Sequence, residues 1–164
     1  MSLANFYRPQ QFSTVIGQEH IIPILQAQVL NSKQRNNNYL FFGPRGTGKT
    51  TSARIFAKAI NCLQTTDGNP CNTCANCESI NKQNTLDYVE IDAASHTGVD
   101  NIREEILDKS LYPPTHLKKK IYVIDEVHML SKGAFNALLK TIEEPQPNVC
   151  FILATTEKHK IIPE

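Results

Sequence analysis

The chain has 164 residues, enough for one domain with a two-sided core. Hydrophobic residues make up 40% and charged residues 20%, which excludes bulk disorder. Seventeen Lys and Arg against sixteen Asp and Glu leave a net charge of +1, which excludes a module that grips nucleic acid by charge alone but not one that touches DNA with a small face. No apolar run approaches the roughly 20 residues of a membrane span. Residues 1–8 lack the basic-then-apolar order of a signal peptide, so no membrane partner is expected.

In chain order, apolar periodicity predicts a helix over residues 18–31, with Ile21, Ile24, Leu25 and Val29 on one face and Pro23 in the first turn. A polar loop, 35–38, leads into the short apolar run 39–42, a buried strand. A glycine-rich turn, 43–48, precedes a helix over 50–61 with Ala53, Phe56, Ala57 and Ile60 on its buried face. Residues 63–84 are polar, cysteine-bearing and weakly periodic. A second strand is expected at 88–92 and a helix at 99–107, with Val99, Ile102, Arg103 and Ile106 spaced for one face. Pro113 and Pro114 break the loop 112–120, and a third strand follows at 121–125. Ser131 is placed to cap a helix that runs to Glu144, with Phe135, Leu138, Leu139 and Ile142 as its stripe and Pro145 as its stop. The fourth strand is expected at 149–155. Short strands alternating with helices predict an α/β fold: a parallel sheet with helices on both faces. The chain ends at Ile161-Ile162-Pro163-Glu164, just after a strand and with no capping helix, and so reads as a fragment. Met1-Ser2-Leu3 reads as a cloning remnant.

Gly43-Pro44-Arg45-Gly46-Thr47-Gly48-Lys49-Thr50 fits the pattern G-x-x-x-x-G-K-[ST] between a strand and a helix. Glycines let backbone N–H groups turn inward around an anion, and the helix start adds its positive dipole end. Gly43, Arg45, Gly46, Thr47, Gly48, Lys49, Thr50 and Thr51 are therefore the expected phosphate site of a nucleotide. Lys49 is expected at the β- and γ-phosphates, and the Thr50 hydroxyl on Mg²⁺. The strand 121–124 delivers Asp125 and Glu126 to its carboxyl end, where open parallel sheets bind ligands. Asp125 is expected beside Thr50 at Mg²⁺, and Glu126 at the attacking water. His128 reads as a polar residue of the following turn, and Lys118-Lys119-Lys120 as a solvated loop.

Five cysteines without a secretory signal do not suggest a disulfide framework. Cys62, Cys71, Cys74 and Cys77 lie within sixteen residues, the last three at two-residue gaps that suit a tight turn aiming sulfurs at one ion. Four thiolates describe a closed structural Zn²⁺ site stapling the inserted module 62–84. The same run begins a ferredoxin-type iron–sulfur motif, but no C-terminal Cys-Pro follows. Cys150, inside an apolar strand, reads as a core thiol.

With these residues in hand, the chain closely resembles the N-terminal ATPase domain of the bacterial DNA polymerase III tau/gamma family, clamp-loader members of the AAA+ ATPases. The resemblance runs from Tyr7-Arg8-Pro9-Gln10 to Pro163. It is carried by Val15-Ile16-Gly17-Gln18-Glu19-His20, the phosphate loop, the four cysteines and Glu90-Ile91-Asp92-Ala93-Ala94-Ser95. Asp125-Glu126-Val127-His128-Met129-Leu130, Ala137-Leu138-Leu139-Lys140-Thr141, Glu143-Glu144-Pro145 and Leu153-Ala154-Thr155-Thr156 complete it.

The resemblance implies a P-loop AAA+ nucleotide-binding domain over 1–164, truncated before the helical lid, with ATP, magnesium and zinc as cofactors. It implies that residues 7–17, with Tyr7, Arg8, Pro9, Val15 and Gly17, strap the adenine, and that Thr156 is a polar sensor near the γ-phosphate. Asp92 and Ser95 would couple DNA contact to the catalytic glutamate. The helix carrying Arg103 resembles one that tracks template phosphates, with only Arg103 cationic in its first turns beside Asp100, Glu104 and Glu105. Arg103 also reads as an exposed helix residue paired with a neighbouring acid. A sheet order 5-1-4-3-2 is implied, its fifth strand beyond the chain. The implied partners are the other clamp-loader subunits in a hetero-oligomeric ring, the sliding clamp and primed DNA, in the cytoplasm, with ATP hydrolysis serving the polymerase holoenzyme. The family's arginine finger and lid would lie beyond Glu164. Such a finger contributes roughly 10³ or more to hydrolysis in related enzymes, so the fragment alone is expected to be a very slow ATPase with weak or absent DNA binding.

Two other readings fit parts of the sequence. Asp125-Glu126-Val127-His128 also matches the D-E-x-H box of superfamily-2 helicases, but there is no second recA-like domain and a cysteine module splits the two motifs. A zinc-stapled scaffold without turnover would not need the complete set Lys49, Thr50, Asp125 and Glu126.

Overall fold

Four parallel strands carry the fold, the central two buried on both faces and the edge two partly buried. The computed structural model describes residues 3–33, 35–65, 67–95, 102–144, 146–157 and 160. The strands are β1 (Asn38–Phe42), β2 (Tyr88–Asp92), β3 (Lys120–Asp125) and β4 (Val149–Thr155), in the order β1-β4-β3-β2. All three pairings are parallel. This is the expected order for the four strands.

The helices are α1 (Leu3–Phe6), α2 (Ile22–Leu30), α3 (Lys49–Asn61), α4 (Ala75–Lys82), α5 and α6 (Lys132–Glu143). In α5 a π-helical stretch, Arg103–Leu107, runs into a helical turn, Asp108–Ser110. Short 3₁₀ turns occupy Phe12–Thr14 and Val127–Met129. Among the described residues, no helix is long and apolar enough to cross a membrane.

Strand alternation sorts the core into two layers. On one face Ile121 and Val123 of β3 and Cys150 and Ile152 of β4 pack with Phe56, Ala57 and Ile60 of α3 and with Leu25 and Val29 of α2. On the other, Tyr122, Ile124, Phe151 and Leu153 pack with Ile102 and Ile106 and with Ala134 and Leu138 of α6. Cys150 is wholly buried, and burial pushes its thiol up to about 12, as befits a core residue.

Three sequence expectations need correction. The helix expected at 18–31 starts at Ile22, with Pro23 in its first turn as anticipated, but Ile24 is 62% exposed and only Leu25 and Val29 of the predicted stripe are buried. Residues 63–84 are not all irregular, because α4 lies within them, capped by the Cys74 sulfur accepting the Cys77 N–H. Of the lysines read as a solvated loop, Lys118 is exposed and Lys119 half-buried in the loop as expected, but Lys120 is buried in β3. Their ammonium groups donate in turn to Cys62 O, Asn37 Oδ1 and Lys109 O. The expected helix 99–107 is described only from residue 102 and continues to Ser110; Val99, Asp100 and the side chain of Arg103 lie outside the described residues.

Candidate phosphate-loop site and cysteine cluster

The parallel register brings four strand ends to one edge. Phe42 of β1 pairs with Thr155 of β4, and Asp92 of β2 pairs with Asp125 of β3. From this edge the chain turns through Gly43–Gly48 into α3. Gly46 and Gly48 have φ of +83° and +79°, a left-handed conformation that favours glycine, and Gly48 is the N-cap of α3. The loop is braced from inside by Thr47 Oγ1 donating to Pro44 O at 2.8 Å, and from outside by Gln18 Nε2 donating to Thr47 O at 3.0 Å. The Lys49 ammonium lies over the loop, 2.8 Å from both Gly43 O and Pro44 O.

The first turn of α3 meets the end of β3 directly. The Thr50 hydroxyl donates to Asp125 Oδ2 at 2.5 Å, and Asp125 Oδ1 accepts the Glu126 N–H at 2.9 Å. Glu126 has φ +52° and ψ +44°, rare for a residue with a side chain, and this turns the chain sharply at the carboxyl edge. A cavity of about 320 Å³ is lined by Arg45, Gly46, Gly48, Lys49, Thr50, Thr51, Asp125 and Glu126. The glycine-rich loop, a lysine, a threonine and two acidic residues therefore line one space of ligand size. The hydroxyl and carboxylate oxygens of Thr50 and Asp125 suit Mg²⁺, which takes one or two protein oxygens and keeps its other positions for phosphate and water.

A second cavity, of about 490 Å³, adjoins the loop. Its walls include Gln18, His20, Ile21 and Leu25, the β1 residues Tyr39 and Phe41, and Gly43, Pro44, Thr47 and Lys49. Tyr7, Arg8, Pro9, Val15 and Gly17 line neither cavity; Tyr7 and Gly17 are exposed and the other three half-buried. Thr156 follows β4 at the same sheet edge, half-buried, and lines neither cavity. Asp92 and Ser95 are exposed, and Asp92 Oδ1 accepts the Ala94 N–H in a local turn.

The sulfurs of Cys62, Cys71, Cys74 and Cys77 all lie within 4.8 Å of one another. Four sulfurs about 2.3 Å from one Zn²⁺ would stand about 3.8 Å apart, so the set fits a tetrahedral ion. Backbone N–H groups of Gln64 and Cys71 point at Cys62 Sγ, those of Thr73 and Cys74 at Cys71 Sγ, at 3.2–3.4 Å. Burial pushes the Cys71 thiol up, but the hydrogen bonds from Thr73 and Cys74 outweigh it and hold the group down to about 6. A thiol so lowered is ready to bind metal as thiolate.

The cluster is stitched to the N-terminal segment that leads toward the phosphate loop. Lys58 of α3, wholly buried, donates to Gln10 Oε1 and Asn72 Oδ1 at 2.7 Å, and burial brings its ammonium down to about 8. Gln11 Nε2 donates to Pro70 O, Phe12 N–H to Asn69 Oδ1, and Asn72 Nδ2 to Gln10 O. Sequence reasoning passed over Lys58, Asn69 and Asn72, because a buried lysine inside a helix looks like any other lysine in a pattern of apolar spacing.

The family model described as DNA polymerase III, delta subunit, matches residues 17–164. The chain belongs to that family. Within the DNA polymerase III subunits its sequence is of tau/gamma type. It is 56% identical over 98% of its length to DNA polymerase III subunit tau of Bacillus subtilis, and 48% identical over 97% to subunit tau of Escherichia coli. It covers 28% and 24% of those two proteins, so the chain spans about a quarter of the curated relatives it matches. Among solved structures, a DNA polymerase III gamma subunit-related protein of Thermotoga maritima superposes with TM-score 0.63 at 20% identity, over 86% of this chain and 41% of that one. The Holliday junction branch migration motor RuvB of Thermotoga maritima gives 0.61 at 22% identity, over 96% and 44%. These likenesses show the fold, a parallel sheet flanked by helices.

Proposed function

We propose that this polymerase III chain is the nucleotide-binding part of an ATP-driven clamp-loader motor, in which ATP binding and hydrolysis load a sliding clamp onto primed DNA. The observation that carries this reading is the 2.5 Å contact of Thr50 with Asp125, with Lys49 and Glu126 facing the same cavity. Backbone N–H groups of the phosphate loop hold the β- and γ-phosphates, and Lys49 neutralises charge that spreads over the transferred group. Thr50 and Asp125 would hold Mg²⁺, which supplies charge neutralisation at the phosphate oxygens. Glu126 accepts a proton from the attacking water and orients it in line with the bond that breaks. The adenine is expected in the second cavity, between Gln18, His20 and Ile21 and the β1 residues Tyr39 and Phe41; for the segment 7–17 to strap it, that segment would have to move onto the cavity. The four cysteines would hold Zn²⁺ as a structural staple of the module 62–84. Thr156 as a sensor, and the clamp, primed DNA and fellow loader subunits as partners, belong to the same proposal and follow from the tau/gamma relatives.

Two variants of the full-length protein, assembled with its partner subunits, test the site. Lys49→Ala is expected to abolish ATP binding in a filter or fluorescence assay. Glu126→Gln is expected to bind ATP as the wild type does and to lose roughly 10²- to 10⁴-fold in hydrolysis. Normal hydrolysis by Glu126→Gln refutes the general-base role.

A further inference from the structure

Behind Glu126, outside the cavity, two side chains form a line that the phosphate chemistry does not use. His128 Nε2 lies 3.4 Å from Glu126 Oε2, and His128 Nδ1 lies 2.9 Å from Thr155 Oγ1. The side chain of His128 is 7% exposed and Thr155 is wholly buried, so neither serves as a surface residue. The sharp turn at Glu126, followed by the 3₁₀ turn Val127–Met129, folds His128 back over the end of β4.

Counting protons assigns the roles. The Glu157 N–H donates to Thr155 Oγ1 at 3.0 Å. Thr155 is wholly buried, and among the described residues His128 Nδ1 is the acceptor within reach of its hydroxyl, so the single hydroxyl proton is directed at Nδ1, which makes Nδ1 the acceptor. A neutral imidazole with an accepting Nδ1 carries its proton on Nε2, the nitrogen that faces Glu126. We infer that His128 is a positioning residue for ATP hydrolysis: Thr155 fixes its tautomer, and its Nε2–H holds one oxygen of Glu126 so that the other is free for the attacking water. The inference rests on reading Glu126 as the group that activates water. It ties the glutamate to the end of β4, the strand that leads into Thr156, so a shift of that strand end moves the base.

Single-turnover ATP hydrolysis by the full-length protein in its complex tests this, with nucleotide Kd measured separately by a fluorescent ATP analogue. His128→Ala and Thr155→Val are each expected to slow the hydrolysis step by roughly ten- to a hundredfold with Kd unchanged, as for a misplaced catalytic group. The double variant is expected to be no slower than the worse single one, because both break one line. Thr155→Ser keeps the hydroxyl and is expected to restore most of the rate lost in Thr155→Val. A glutamine amide reaches as far as Nε2 whereas an asparagine amide reaches only Nδ1, so His128→Gln is expected to outperform His128→Asn. Wild-type hydrolysis by His128→Ala, with Glu126→Gln inactive, overturns the positioning role and leaves Glu126 standing. Loss of nucleotide affinity and melting temperature in step with hydrolysis overturns it as well, since that marks a structural contact. Normal hydrolysis by Glu126→Gln overturns the reading of Glu126 and this inference with it.

Discussion

Asp87, wholly buried just before β2, shows how one side chain can fix a loop that no periodicity predicts. Its carboxylate accepts backbone N–H groups from Thr115, His116 and Leu117 at 2.6–3.0 Å, and so shapes the approach to β3. Burial pushes this carboxyl up, but those N–H groups outweigh burial and hold it below the usual carboxylate range. A carboxylate lowered in the folded state stabilises it fully above the ordinary value, about 3.9, and that stability is lost as pH falls below it through the lowered one. Asp87→Ala leaves three N–H groups unpaired and is expected to cost about 3 kcal/mol or more at neutral pH in denaturant unfolding. The variant should also lose part of the acid sensitivity of the wild type below about pH 4; identical acid limbs for both would contradict the assignment.

At the same scale, the phosphate loop was legible in the sequence because its glycines, lysine and threonine need only local spacing. Asp125 and Glu126 were legible because a strand end is a predictable address. His128 lies in the turn Val127–Met129 as its sequence position implies, and its place two residues after a strand-end glutamate signals the contact with Glu126. Thr155 gave no such signal, because only the pairing of β4 beside β3 brings it near. Lys120, at the end of the lysine run, was misread for a similar reason: charge in a sequence does not reveal the carbonyl of Lys109 that receives it.

Among the elements, the four strands were found within one residue of their observed ends because each holds a short apolar stretch bounded by polar or turn residues, fully buried in the central β3 and β4 and partly so in the edge strands β1 and β2. The helix α6 was found from its cap, Ser131, whose side chain accepts the Ala134 N–H. In contrast, α4 escaped notice. It has eight residues, its cap is a cysteine sulfur, and its buried positions, Cys77 and Ile80, are too few for a period to stand out. Its order is therefore expected to depend on metal more than on packing. Cys74→Ser in the full-length protein should release the bound zinc, measured by colorimetric titration. Amide exchange should then accelerate across Ala75–Lys82 and at Phe12, whose N–H is held by Asn69. A metal-stripped wild type that exchanges as slowly as the loaded one would contradict a structural metal.

At the scale of the whole chain, one sheet edge gathers Lys49, Thr50, Asp125 and Glu126, and one helix links that edge to the cysteine cluster. The helix α3 begins at the phosphate loop, buries Phe56 and Ile60 against the sheet, and carries Lys58 to the cysteine-bearing loop and Gln10. A parallel sheet with helices on both faces followed from the alternation of short strands and helices, whereas the strand order came from the family resemblance. The stitching of residues 10–12 to residues 69–72 followed from neither, because polar contacts across some sixty residues leave no local mark. At this scale the central proposal is that the edge at Lys49, Thr50, Asp125 and Glu126 drives a clamp loader. The most direct measurement is steady-state ATP hydrolysis by the full-length protein with its partner subunits, run with and without a sliding clamp and a primed DNA junction. The account predicts strong stimulation that requires clamp and junction together. Stimulation by single-stranded DNA alone, accompanied by strand unwinding, or no hydrolysis under any of these conditions, would contradict it.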